Sequence, residues 1–179
     1  MEQKEILTNW HVITGGPCTG KTTVVEILAS NGFKTTVEHA RHYIDTQKIK
    51  GKSIDEIKRN KKEFQLAVLK MQIKEETHLN TQDLVFLDRA LPDALAYYKF
   101  LDLKIDDQVL EMCNKFCYKK IFILDRLPLV NDYARREDEE EQKIIHELII
   151  DVYNSYPCPI VHVPVLPKEE RVNFILNRI

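Results

Sequence analysis

Three of the five glycines in this 179-residue sequence, Gly15, Gly16 and Gly20, fall within one short segment. The apolar run His11–Thr14 precedes this segment, and the predicted helix Lys21–Ser30 follows it. Glycine lets a backbone turn so tightly that successive N–H groups point inward, and the first turn of a helix adds the positive end of its dipole. A strand, a glycine-rich loop and a helix in this order favour an α/β fold whose loop surrounds an anion.

The loop carries a specific phosphate-binding motif. Residues 15–22 read G-G-P-C-T-G-K-T and fit the pattern G-x-x-x-x-G-K-[ST]. In such a loop Lys21 reaches the β- and γ-phosphates, and the hydroxyl of Thr22 ligates Mg²⁺. We therefore expect ATP or GTP to bind here with Mg²⁺, since no base-reading motif separates the two nucleotides. The predicted nucleotide-binding residues of the loop are Gly15, Gly16, Pro17, Cys18, Thr19, Gly20, Lys21, Thr22 and Thr23.

The rest of the chain alternates short β-branched runs with longer helical segments. This alternation predicts a single domain over residues 1–179, with a three-layer α/β fold and a five-stranded parallel sheet flanked by helices. The predicted strands are His11–Thr14, Phe33–Val37, Leu84–Leu87, Lys120–Leu124 and Ile160–Val163. The predicted helices are Lys21–Ser30, Ala40–Ile49, Ile54–Asn80, Ala90–Leu101, Asp106–Phe116, Glu139–Tyr153 and Lys168–Arg178.

The predicted helix Ile54–Asn80 is apolar on two sides. One face carries Ile57, Phe64, Val68 and Met71, and nearly the opposite face carries Leu66, Leu69 and Ile73. A helix of this kind is expected to lie between the sheet and a second element. That element is a neighbouring helix, a bound substrate or another subunit, which leaves a homodimer through residues 54–80 as one alternative.

Composition narrows the class of protein. The chain has 26 basic and 28 acidic residues and a formal net charge of −2, which argues against sequence-independent nucleic-acid binding. No apolar run approaches the length of a membrane span, and the first residues do not resemble a secretory signal, so we expect a cytoplasmic protein. Of the four cysteines, Cys113 and Cys117 are expected to share one helix face as small buried hydrophobes, with no structural metal.

Two acidic residues follow predicted strands and suit the chemistry of a bound triphosphate. Asp88 closes the run Leu84–Leu87 and is the candidate for holding Mg²⁺. Glu38 follows Phe33–Val37 and is the candidate for deprotonating or orienting a nucleophile. The carboxyl ends of parallel strands meet at one edge of a sheet, so both side chains are expected near the phosphate-binding loop.

Together with the loop, several further motifs resemble a known family. These motifs are Glu38–Arg41, Asp88-Arg89 with Asp93–Tyr97, Asp132–Arg135 and the segment Pro164–Leu176. They are similar to the small AAA_28-type P-loop domains, which include the nicotinamide riboside kinase domain of bacterial NAD regulators. The Asp88-Arg89 pair also resembles the acid–arginine motif of nucleoside kinases.

The resemblance implies roles for individual residues. Glu38 would be the catalytic base, Asp88 would hold Mg²⁺ through water, and Arg89 would contact the transferring or acceptor phosphate. Arg41 and Asp93 would line the acceptor site within a helical region of about residues 40–105. A lid of about residues 126–142 would cover the phosphates with Arg126 and Arg135, with Arg136 a weaker candidate, and residues 164–167 would pack against the base. The predicted catalytic residues are thus Lys21, Glu38, Asp88, Arg89 and Arg135.

Three functions fit these residues. The first is a kinase that moves the γ-phosphate of ATP to a hydroxyl of a nucleoside-like or other small metabolite. The second is a regulatory NTPase switch, in which Glu38 orients water and the stripe Leu66/Leu69/Ile73 meets a partner. The third is a polynucleotide kinase, which the basic cluster Lys48, Lys50, Lys52, Lys58, Arg59, Lys61 and Lys62 keeps open.

Overall fold

A five-stranded parallel sheet forms the centre of the protein. A computed structural model describes residues 6–128 and 138–179. The strands of the sheet lie in the order β3-β4-β2-β6-β7, and every neighbouring pair is parallel. They span β2 Trp10–Thr14, β3 Lys34–Thr35, β4 Val85–Asp88, β6 Lys120–Leu124 and β7 Ile160–Val163. The predicted three-layer α/β fold is confirmed, and the loop-bearing strand β2 occupies its centre.

Helices cover both faces of the sheet because alternate strand residues point to opposite sides. Ile13 packs with residues of α1 and α8, whereas its neighbour Val12 packs with residues of α5 and α7. The helices are α1 Lys21–Ser30, α2 His39–Ile49, α3 Ile54–Lys58, α4 Lys61–His78, α5 Asp93–Phe100, α6 Asp107–Cys113, α7 Glu139–Asn154 and α8 Lys168–Leu176. None of the described helices is long and apolar enough to cross a membrane.

The prediction of one helix over Ile54–Asn80 is wrong, because the chain breaks there into α3 and α4. The side chain of Asn60 accepts a hydrogen bond from the Glu63 N–H and so caps the start of α4. Its two apolar sides are used within the chain: Phe64 joins Ile44 and Ile57 in a small cluster, while Leu69 belongs to the main core.

A second, two-stranded sheet was not expected. β1 (Ile6–Leu7) pairs in parallel with β5 (Phe116–Cys117), a segment predicted to end a helix. Cys113 closes α6 and Cys117 lies in β5, so the prediction that they share one helix face is wrong. Instead the Cys117 Sγ lies 3.6 Å from the Cys158 Sγ.

Candidate active site

The phosphate-binding loop connects β2 to α1 at the carboxyl edge of the sheet. Gly15 has φ +136°, and a Cβ there would lie 2.7 Å from the Leu124 carbonyl oxygen at the end of β6. Gly20 has φ +77° and forms the N-cap of α1. Both positions therefore require glycine, and the loop closes tightly against the neighbouring strand.

Lys21 lies against the loop that it follows. Its ammonium group donates hydrogen bonds to the Gly16 carbonyl at 2.7 Å and to the Thr19 hydroxyl at 3.0 Å. The residue is only 2% exposed. The fixed positive charge of Lys21 is therefore held at the loop, where a phosphate group would bind.

Two oxygen ligands converge beside the loop. Thr22, the second residue of α1, places its Oγ1 3.4 Å from Oδ2 of Asp88, which ends β4 next to β2. Hydroxyl and carboxylate oxygens are the ligands that Mg²⁺ prefers, usually together with phosphate oxygens and water. Within residues 6–128 and 138–179, no group of three or more His, Cys, Asp or Glu side chains could hold a metal by itself. Thr22 and Asp88 together fit a magnesium ion whose remaining ligands come from a nucleotide and water.

Arg89 is the centre of a buried polar cluster. Its φ of +70° is in the left-handed region, and its guanidinium turns back toward the loop to donate to the Gly15 carbonyl at 3.4 Å. Arg89 Nη1 lies 3.2 Å from Asp93 Oδ1, and Arg89 Nε lies 3.6 Å from Glu38 Oε1. Burial lowers the pKa of Arg89, while Tyr97, Glu38 and Asp93 raise it by more, so the guanidinium keeps its charge.

Asp93 is saturated by hydrogen bonds within the protein. Its Oδ1 accepts from the Thr14 hydroxyl at 2.6 Å and from Arg89 at 3.2 Å. Its Oδ2 accepts from the Ala90 N–H at 3.1 Å and from the Tyr153 hydroxyl at 2.5 Å. The carboxylate therefore orients Arg89, and its predicted contact with an acceptor stays a prediction.

Glu38 lies between two arginines. It is the N-cap of α2, its side chain is 8% exposed, and Arg41 Nε lies 3.6 Å from its Oε2. Arg89 approaches the other carboxylate oxygen, as described above. The structure thus brings Glu38, Arg41, Asp88 and Arg89 together at the edge of the sheet that carries the loop. The positions of the strand ends predict this for Glu38 and Asp88.

A cavity of about 300 Å³ opens beside this cluster. Glu38 and its partners Arg41 and Arg89 form its polar end, and Pro17 of the loop also lines it. Its body is mainly apolar and is lined by Ala40, Ile44, Phe64, Val68, Ala94, Tyr97, Phe100 and Leu101, with Gln65, Gln72, Lys58 and Lys61 among the polar side chains.

Three residues at the site were missed by sequence reasoning, because two lie in α7, which has no recognisable motif, and the resemblance over Pro164–Leu176 implies a role only for residues 164–167. Tyr153 of α7 binds Asp93, and Arg171 of α8 donates to the Thr19 carbonyl at 2.5 Å. His146 of α7 accepts a hydrogen bond from the Gly16 N–H through Nδ1 at 3.1 Å. Burial, assisted by Lys21, lowers the pKa of His146 to about 4, so the ring is neutral and able to accept.

The predicted lid is only partly described. Arg126 donates through Nη2 to the carbonyl oxygen of Glu139, the first residue of α7. Arg135 and Arg136 lie outside the described residues, as does the motif Asp132–Arg135. The prediction that residues 164–167 pack against the base is likewise untested, although Val165 is 56% exposed and accessible.

Comparison with known proteins gives one family match over most of the chain. The model of the AAA_28 family, described as an AAA domain, matches residues 10–171. No curated protein sequence matches the chain at a significant level.

Solved structures match the fold over nearly the whole chain. A deoxyadenosine kinase from M. mycoides has a TM-score of 0.66 at 15% identity, covering 94% of this chain and 97% of that chain. A thymidylate kinase from Ehrlichia chaffeensis has a TM-score of 0.63 at 16% identity, covering 94% of this chain and 96% of that chain. The NadR protein in complex with NR has a TM-score of 0.64 at 19% identity, covering 95% of this chain and 51% of that chain. The chain therefore has the fold of these three proteins and spans about half the length of NadR.

Proposed function

The chain belongs to the AAA_28 family of AAA domains, and from this membership and the cavity beside its loop we propose that it is a P-loop kinase. The proposed reaction moves the γ-phosphate of ATP to a hydroxyl group of a small, nucleoside-like metabolite. Deoxyadenosine kinase and thymidylate kinase share its fold, and this analogy of fold favours a phosphotransferase among P-loop activities.

The observation that carries the proposal is the cavity that joins an apolar body to the cluster around Glu38. A volume of about 300 Å³ suits a small molecule and is at the lower end of ligand pockets. Phe64, Tyr97 and Phe100 offer ring surfaces for a flat group, while Gln65 and Gln72 offer amides for its polar edge. A nucleoside-like molecule would meet both kinds of wall and would point its hydroxyl at the polar end.

The geometry supports a positioning mechanism for the transfer. The acceptor hydroxyl would attack the γ-phosphorus, its proton would pass to the Glu38 carboxylate, and the bond to the leaving ADP oxygen would break. Glu38 is held in place by Arg41 and Arg89, and these two cations together with Lys21 would balance the charge of the phosphate oxygens. Magnesium, held by Thr22 and by Asp88 through water, would supply further charge neutralisation.

The switch hypothesis loses its proposed partner surface. It required the stripe Leu66/Leu69/Ile73 to face outward, but Leu69 is fully buried and Ile73 packs against the main core. A cavity beside the loop, in contrast, is what a kinase needs for its acceptor, whereas hydrolysis of nucleotide does not require one. Lys58 and Lys61 line this cavity, so oligonucleotides belong in any screen of acceptors.

The test is transfer of label from γ-labelled ATP to a panel of nucleosides, sugars and oligonucleotides. We expect label on at least one acceptor, and we expect the Lys21→Ala variant to lose both this transfer and ATP-induced thermal stabilisation. Lys143→Ala is the matched control, because Lys143 is exposed on α7, and it should behave as the wild type. Hydrolysis to free phosphate with no labelled acceptor would favour the switch, and unchanged stabilisation of Lys21→Ala would overturn nucleotide binding at the loop.

A further inference from the structure

A buried arginine on α8 connects three segments of the nucleotide site. Arg171 is 2% exposed, and its guanidinium donates three hydrogen bonds to main-chain carbonyl oxygens. Nη1 donates to Thr19 at 2.5 Å, Nη2 to Asp125 at 3.1 Å, and Nε to Pro164 at 3.0 Å. Each nitrogen of the guanidinium group thus binds a different segment of the backbone.

The three carbonyl groups that accept these hydrogen bonds belong to segments with different expected contacts to a nucleotide. Thr19 lies in the phosphate-binding loop, Asp125 follows β6 directly before Arg126, and Pro164 follows β7 at the start of residues 164–167. All three lie at the carboxyl edge of the sheet, where α/β proteins bind ligands. One planar, rigid group therefore sets the spacing between the part of the site expected to bind phosphates and the part expected to bind the base.

Arg171 also places a positive charge directly behind the loop. A Cβ on Gly20 would lie 3.5 Å from its Nη1, which shows how closely the guanidinium packs beneath the backbone. Across residues 6–128 and 138–179, no carboxylate forms an ion pair with Arg171. Burial lowers the pKa of Arg171 and Asp125 raises it, but a guanidinium stays protonated in proteins. The charge is thus balanced in part by carbonyl dipoles and by Asp125, and its field reaches an anion on the other side of the loop.

We propose that Arg171 is a positioning residue for the nucleotide, which fixes the distance between the phosphate-binding loop and residues 164–167 and adds a buried positive charge behind the phosphates. The proposal rests on the proposed binding of a nucleoside triphosphate at the loop and on the prediction that residues 164–167 pack against its base. Val172 and Ile175 also anchor α8, in the core on the α1 side of the sheet.

The test compares Arg171→Lys and Arg171→Met with the wild type in binding ATP and inorganic tripolyphosphate. Lysine keeps the charge but has no planar guanidinium that could bind three carbonyl groups at once. Arg171→Lys should therefore lose about tenfold or more in affinity for ATP and keep most of its affinity for tripolyphosphate. Arg171→Met loses the charge as well and should bind both ATP and tripolyphosphate more weakly. In the kinase assay the KM for ATP should rise while kcat changes little.

Arg178→Met is the matched control, because Arg178 is exposed just after α8 and its side chain contacts Phe174, whose carbonyl it binds, on the surface of the protein. It should bind both ligands as the wild type does. Melting curves without ligand show whether each variant is folded, and Arg171→Lys keeps the test valid if Arg171→Met does not fold.

Two results would overturn the inference while leaving the proposed function intact. Wild-type affinity for ATP in both folded variants would show that Arg171 only stabilises the fold. Equal losses of ATP and tripolyphosphate in Arg171→Lys would show that it does not set the spacing to the base. If the wild type binds neither ligand, the proposed function fails and the inference fails with it.

Discussion

The hydrogen bond between Tyr153 and Asp93 offers the sharpest test of how the site is held together. Tyr153 is fully buried on α7, and its hydroxyl donates to Asp93 Oδ2 at 2.5 Å. Replacing it with phenylalanine removes one oxygen and leaves the ring, so the variant creates almost no cavity. Asp93 keeps its other three donors, Thr14, Arg89 and the Ala90 N–H.

The magnitude follows from the charge of the acceptor. A buried hydrogen bond to a charged group contributes about 1.5–3 kcal/mol to the free energy of unfolding, and we expect Tyr153→Phe to lose an amount in this range. For a domain of this size, that corresponds to a decrease in Tm of about 3–12 °C. Because Asp93 orients Arg89, the variant should also lower the rate of phosphate transfer.

The assay is urea unfolding of Tyr153→Phe beside a matched control, Tyr98→Phe. Tyr98 is equally buried on α5, but its hydroxyl makes no hydrogen bond within the part of the chain that is described, so Tyr98→Phe breaks no hydrogen bond and should cost much less. In an Asp93→Asn background the cost of Tyr153→Phe should shrink by at least about 0.5 kcal/mol, since the two residues are in contact. Equal stabilities of the two tyrosine variants, or full additivity with Asp93→Asn, would refute this account of Asp93.

Two further predictions concern carboxyl groups. Burial raises the pKa of Glu76 to about 8, and its Oε2 accepts from the Tyr118 hydroxyl at 2.9 Å. Between its ordinary pKa of 4.5 and 8 the folded state holds a proton that the unfolded chain releases, so stability should fall as pH rises through this window, by up to about 1.4 kcal/mol per pH unit. Glu76→Gln should remove this slope in urea unfolding, whereas parallel pH profiles would contradict it. Glu38→Gln should keep ATP affinity but lose about 10²–10⁴ in turnover in the label-transfer assay, and retained turnover would assign the base to another residue.

Much of the fold could be predicted because its signals are local. The bounds of α1 and β6 agree with those expected from sequence, since the glycine-rich loop and the β-branched run mark them directly. The break between α3 and α4 could not be predicted from apolar periodicity, because the pattern continues through it. The sequence does contain a signal for the break, since Asn60 lies three residues before Glu63 and caps α4. In the sequence, however, this N-cap cannot be distinguished from two polar residues on the surface of a continuous helix.

The residues of the candidate site likewise form two groups, those that the sequence predicts and those that it does not. Glu38, Asp88 and Arg89 follow strands, so parallel topology alone places them at the edge that carries the loop. Tyr153 and Arg171 lie within amphipathic helices, and their contacts depend on how α7 and α8 pack against distant segments. No spacing within either helix records that packing, and only a three-dimensional structure could reveal these contacts.

The central position of β2 has a consequence for how the protein acquires its activity. β2 comes early in the chain, yet both of its neighbours, β4 and β6, come much later. Pairing strands that are so far apart in sequence costs loop-closure entropy before the new contacts add stability, so these pairs form slowly. The Leu124 carbonyl that closes against Gly15 and the Asp88 carboxylate beside Thr22 arrive only with those late strands. Affinity for nucleotide is therefore a property of the completed sheet, and a bound nucleotide would stabilise the whole folded domain against unfolding.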